Sequence, residues 1–182
     1  VGDGQVFGRF VERTVALAAS DAQIARAAAV EASFEVGLGD YDAAVEAAER
    51  GIPAARRAGL AEAESDLLYL RGLVRWERRQ ISEALADILP AVELRRHLPP
   101  HALRPDHAAE FVTMLTTLGV ALAGAGRFTE SQGVVAEAYA RARDADRRLR
   151  GQHGQELAVG VAGIAVDEHQ RAARGQAAQG QP

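Results

Sequence analysis

Three histidines, His97, His101 and His107, fall in one proline-rich stretch beside Asp106 and Glu110. Imidazole and carboxylate are zinc ligands, and a metal site needs three or four of them converging on one point. Histidine pairs that ligate from one helix stand four residues apart. His97 and His101 have that spacing but straddle Pro99 and Pro100, which forbids a helical turn between them. The stretch reads as a solvated loop, and no metal is expected. His153 and His169 stand alone. Ser20, Ser33, Ser65, Ser82 and Ser131 fall in helix caps or helices, and no Gly-x-Ser-x-Gly elbow is present to present a nucleophile. Gly2-Asp3-Gly4 precedes no strand and carries no lysine, so it is not a phosphate-binding loop. The chain has no cysteine, which excludes thiol catalysis, thiolate metal sites and disulfides. Glu46, Glu49, Glu62 and Glu64 are scattered as on solvated helix faces. No enzymatic activity and no cofactor are expected.

The arginines carry the remaining polar chemistry. Every one of the 21 basic residues is arginine, which reads as the codon bias of a GC-rich bacterial genome. Arg71, Arg75 and Arg78 recur at i, i+4, i+7, opposite Tyr69, Leu73 and Trp76 at the same spacing. Leu67, Leu70 and Val74 form an adjoining apolar stripe. Guanidinium forks hold carboxylates bidentately, so the arginine stripe suits an acidic peptide or a C-terminal carboxylate. The other stripe suits an apolar peptide or helix with an aromatic anchor. From Arg141 to Arg150 the basic run is broken by Asp144 and Asp146. That mixture favours intrahelical pairs over phosphate binding. With a net charge of −4 and no interleaved aromatics, neither nucleic acid nor membrane is an expected partner.

These stripes need helices to hold them. Hydrophobic residues make up 48% of the chain but aromatics only 5%, and an alanine-rich balance favours close-packed helices over sheets. Eight helices are predicted, over residues 5–19, 21–37, 42–58, 61–79, 82–97, 106–125, 129–149 and 154–174. Ser20 and Asp21 cap the second helix, and Asp40 the third. Gly39 supplies the positive φ that ends the second. Pro90 is expected to kink or shorten the fifth, and residues 97–106, with three prolines, form a loop.

The helices follow a repeated pattern. Ala32 precedes Gly39-Asp40-Tyr41, followed by Ala44 and Gly51. Gly72 precedes Arg79-Gln80-Ile81, followed by Ala84 and Ala91. Gly119 precedes Gly126-Arg127-Phe128, followed by Ser131 and Ala138. Each turn begins seven residues after the small residue, and the next two small residues come five and twelve residues after the turn begins. Recurrence of this kind marks a helical solenoid. Small residues let antiparallel helices approach to about 8–10 Å.

The pattern resembles the tetratricopeptide repeat, a helix-turn-helix unit with a small residue in its first helix and a Gly-x-aromatic turn. The resemblance covers about residues 25–145 as three units, near 25–58, 65–98 and 112–145, within an array of 25–150. The third matches best. The second departs, with Arg79 for the turn glycine and Ile81 for the aromatic. Turn starts lie 40 and then 47 residues apart, longer than the minimal unit, as in degenerate repeats of bacterial regulators. Residues 1–24 would be a capping helix.

The resemblance implies an all-α antiparallel helix-pair superhelix whose first helices line a concave groove. It places Tyr69, Leu73 and Trp76 in that groove, with Arg26 and Ser33 on the second helix and Thr113, Thr116 and Val120 on the sixth. Arg71, Arg75 and Arg78 are the alternative groove face. With Gly72 turned to the paired helix the aromatic face is favoured inward, which puts Arg71 and Arg75 where buried residues are expected. The segment 151–174 is apolar on nearly all faces through Leu157, Val161 and Ile164, whereas a solenoid cap should be polar outside. It is buried in the stack, or forms a homodimer contact, or is cut from its natural neighbour. The last two are preferred. Residues 175–182 look like a linker. The longest apolar run, about half of the ~20 residues a span needs, excludes a membrane helix. The expected protein is a piece of a larger cytoplasmic bacterial regulator that binds protein or peptide. A dimerising spacer and a small-molecule sensor are the alternatives.

Overall fold

The computed structural model describes the backbone of residues 2–98 and 107–150, with side chains for 7–98 and 108–147. All of the regular structure among the described residues is helical. Seven helices follow in order: α1 (Gly2–Leu17), α2 (Asp21–Leu38), α3 (Tyr41–Ala58), α4 (Ala61–Glu77), α5 (Ile81–His97), α6 (His107–Gly124) and α7 (Phe128–Arg150). They agree with the expected helices to within a few residues. The predicted eighth helix and the residues Leu157, Val161 and Ile164 lie outside the described residues, as do most of the proline loop and the predicted cap Asp106.

The chain divides into two compact units, Val1–Leu98 and Pro99–Pro182. In the first, α2 pairs with α3 and α4 with α5, α4 stacks on both α2 and α3, and α1 lies on α2. In the second, α6 pairs with α7.

One turn chemistry closes α2, α3, α4 and α6. After α2, Gly39 donates to the Val36 carbonyl and Asp40 to the Glu35 carbonyl, at 3.1 and 3.0 Å. This is the Schellman arrangement, in which a left-handed residue lets the chain satisfy the last carbonyls of the helix. Gly59-Leu60 after α3, Arg79-Gln80 after α4 and Gly126-Arg127 after α6 make the same pair of bonds. The second residue of each turn then opens the next helix, its carbonyl accepting from Ala44, Glu64, Ala84 or Ser131. The expected positive φ is present at Gly39 (80°), and Gly126 shares it (76°). Arg79 adopts it too, at 62°, without being glycine. Asp40 caps α3 through the Ala43 amide at 3.1 Å, and Ser20 and Gln23 cap α2 reciprocally.

α5 is not shortened by Pro90; it continues to His97. α3 likewise runs through Pro53. Both prolines are exposed, so the carbonyl that each leaves without a helical donor stands on the side of the helix that faces water.

The core is built on small residues. Ala28, Ala32, Ala44, Ala48 and Ala55 are at most 1% exposed. A Cβ added at Gly51 would stand 2.5 Å from the Ala28 Cβ and 2.7 Å from Leu67 Cδ1. At Gly72 it would stand 2.6 Å from Ile88 Cγ1, and at Gly119 2.7 Å from Val135 Cγ2. The pairs are close enough for hydroxyls to reach the facing backbone. Buried Ser65 donates to the Ala91 carbonyl and buried Ser131 to the Gly119 carbonyl, each at 2.8 Å.

Candidate functional site

α4 carries both candidate faces, and the structure gives them different fates. Arg71 donates from Nε and Nη2 to the two oxygens of Asp87 on α5, at 2.8 and 2.7 Å. Arg75 donates from Nη1 to the same carboxylate at 2.7 Å. Asp87 is 3% exposed. Burial of a carboxylate is tolerated only with such charge-assisted partners. The bidentate bond to Asp87 raises the Arg71 pKa above its ordinary value, against the opposing effect of burial; the charges of Asp87 and Glu49 add to the rise. Arg78, exposed, donates to Asp42 at the start of α3 at 2.6 Å. All three guanidiniums of the predicted arginine stripe are therefore engaged by the protein's own carboxylates. This explains how Arg71 and Arg75 occupy register positions where burial is expected.

Asp87 was not among the residues singled out from sequence. A signal for it existed. Eight residues after its turn start, it matches Ala47 and Val134 in the other two units, and Ala47 is fully buried. An acidic residue in that register requires a cation on the facing helix.

Tyr69, Leu73 and Trp76 stand on the other side of α4, roughly 140–160° around the axis from Arg71 at 100° per residue. All three are half-buried. Arg26 and Ser33 are exposed on α2, at positions joined through Val30 by i, i+4 and i+3 steps, and Val30 is 41% exposed. α2 and α4 are neighbours within the first unit. Thr113, Thr116 and Val120 belong to α6 of the second unit. Thr113 is exposed, Thr116 and Val120 half-buried. The two threonine hydroxyls donate to the carbonyls of Ala109 and Val112 on their own helix, at 3.1 and 2.9 Å.

Other ion pairs tie helices together. Arg57 of α3 makes a bidentate contact with Asp21 of α2 at 2.9 and 2.8 Å, and Arg56 of α3 meets Glu64 of α4 at 2.6 Å. Buried Arg95 pairs with Asp66 across α4 and α5. His97 engages the Glu93 carbonyl of its own helix through Nδ1 at 2.8 Å. Among the described residues no group of three or more histidines and carboxylates could hold a metal ion, and no helix is long and apolar enough to cross a membrane.

No protein-family model matches the chain, and no curated protein or solved structure is significantly similar to it.

Proposed function

We propose that the chain is a non-catalytic helical-repeat module, of tetratricopeptide type, that binds a protein or peptide through the Tyr69/Leu73/Trp76 face of α4. The reading places it as a sensory or scaffold segment of a cytoplasmic bacterial regulator. The observation that carries it is the engagement of Arg71, Arg75 and Arg78 by Asp87 and Asp42. An acidic ligand would have to compete with carboxylates already in place, one of them buried. The aromatic face offers apolar area to a partner, where desolvation of large side chains supplies most binding energy. Arg26 and Ser33 on neighbouring α2 add a polar margin.

Selection of displayed random peptides tests this reading, followed by titration of the chosen peptides against Trp76 emission. Peptides with aromatic or aliphatic anchors whose binding disappears in Leu73→Glu support it. Acidic peptides whose binding disappears in Arg75→Ala instead would move the site to the arginine face. Failure to enrich any peptide would favour a spacer without a ligand.

A further inference from the structure

α7 repeats the register of α3, and the helix that comes next in the chain is what covers α3. Counted from Gly39 and Gly126, the residues Gly51, Ile52 and Arg56 correspond to Ala138, Tyr139 and Arg143. α4 lies over this side of α3. A Cβ at Gly51 would meet Leu67 of α4, Ile52 is 3% exposed, and Arg56 is met by Glu64. On α7, Ala138 and Ala142 are buried, while Tyr139 is 52% exposed. Arg143 lies over the Tyr139 ring at 5.7 Å from its centre. The sequence after α7 suits this edge. α7 ends at Arg150 and Gly151 follows, as Gly59 follows α3. Residues 151–182 lie outside the described residues; their sequence carries Leu157, Val161 and Ile164 at i, i+4, i+7, with Gly160 and Gly163 among them. That spacing sets three aliphatic side chains on one helical stripe.

We propose that the chain's own residues 154–174 return along α7 and cover Tyr139, as α4 covers α3. A helix of that length spans about 30 Å, enough to run back past Tyr139. The contacts between α3 and α4 fix the register. Arg56 with Glu64, and Asp42 with Arg78, are symmetric about Leu60, the residue after Gly59. The same symmetry about Gln152 brings Ile164 level with Tyr139 and Val161 level with Arg143, to within one residue. A segment joined to α7 by a short turn acts at an effective concentration of about millimolar, an advantage that neither a free partner nor a second copy has. The apolar stripe is then buried within its own chain and not in a homodimer contact.

Paired cysteines test this in the full chain, which has no cysteine of its own. Tyr139→Cys is combined with Ile164→Cys or Ala165→Cys and oxidised in a glutathione buffer at low protein concentration. A disulfide needs the two Cα atoms within about 7 Å. Bridging within one chain is expected, about ten-fold faster or more than with Ala162→Cys on the opposite side of the stripe. It should also outpace bridging from Ala140→Cys, an exposed position about 100° around α7. Equal rates from Tyr139→Cys and Ala140→Cys, no bridge, or disulfides formed only between chains would overturn the proposal. Hydrogen exchange of the unsubstituted chain is a second readout, independent of whether the variants fold. Protected amides over 157–168 in a protein of monomeric mass are expected. Exchange there at the rate of a free peptide, or protection that appears only as the mass doubles, also overturns it.

Discussion

The carboxylate of Asp87 receives both Nε and Nη2 of Arg71, at 2.8 and 2.7 Å, across the contact between α5 and α4. Arg75 adds a third bond to it. The cluster joins two cations to one buried anion, and its removal is asymmetric. Asp87→Ala leaves two partly buried guanidiniums facing each other without an anion, and is expected to destabilise by about 2–4 kcal/mol. Arg75→Ala leaves the bidentate pair intact and is expected to cost about 1 kcal/mol. Urea denaturation of the two variants measures both. Equal losses would mean that the three groups do not act as a cluster.

The interhelical glycines predict an order that helix propensity alone, the same at each, does not give. Gly→Ala inside a helix gains about 1 kcal/mol from propensity. At Gly51 the new methyl would stand 2.5 Å from the Cβ of Ala28, which has no rotamer to move. At Gly119 its one contact below 3.0 Å is a methyl of Val135, a half-buried side chain that can turn aside. Gly51→Ala should therefore destabilise by about 1–3 kcal/mol, while Gly119→Ala should be near neutral. Gly72→Ala, facing Ile88 and the Ala84 carbonyl, should fall between. Thermal melts of the three variants give the ranking.

Arg79 occupies a conformation that L-residues with a Cβ avoid, at a cost of roughly 1–2 kcal/mol. It makes the same Schellman bonds as Gly39, Gly59 and Gly126 at φ 62°. Arg79→Gly is expected to stabilise the first unit by about 1 kcal/mol, and Gly126→Ala to destabilise the second by a similar amount. A midpoint for Arg79→Gly at or below that of the parent protein would show that the arginine side chain compensates its backbone.

Much of the architecture was legible because turns are written in local chemistry. Gly39, Asp40 and Gly126 announce a left-handed residue and a cap, and the offsets between small residues announce the pairing of helices. The same offsets located the α4–α5 turn, although Arg79 is a poor signal by itself. The candidate face was only half legible. Periodicity separated Arg71 and Arg75 from Tyr69 and Leu73, but it does not say which stripe meets a neighbouring helix. That depended on Asp87, a residue whose type suggests solvent and whose burial is decided by arginines twelve and sixteen positions away. The difference between α3 and α7 was hidden for a related reason. Tyr139 and Ile52 share a register, and only packing shows that one is covered and the other is not.

Glu35 sits at the wrong end of its helix. It lies in the last turn of α2, where the carbonyl ends favour cations, and no basic residue is in that turn. Partial burial raises its pKa above the ordinary glutamate value, and the charges of Asp40 and Glu31 add to the rise. An acid whose pKa is higher folded than unfolded binds its proton more tightly in the native state. Its ionisation therefore subtracts stability as pH rises through the interval between the two values, and the loss is complete at neutral pH. Glu35→Gln removes the titration and should stabilise the fold by about 0.5 kcal/mol near pH 7. The gain should vanish once the pH falls below the carboxylate range, where Glu35 is already neutral. Melting temperatures of the two proteins, compared across that range, should converge toward acid. A gain of constant size at every pH would assign the effect to the lost side-chain contacts of Glu35 and not to its charge.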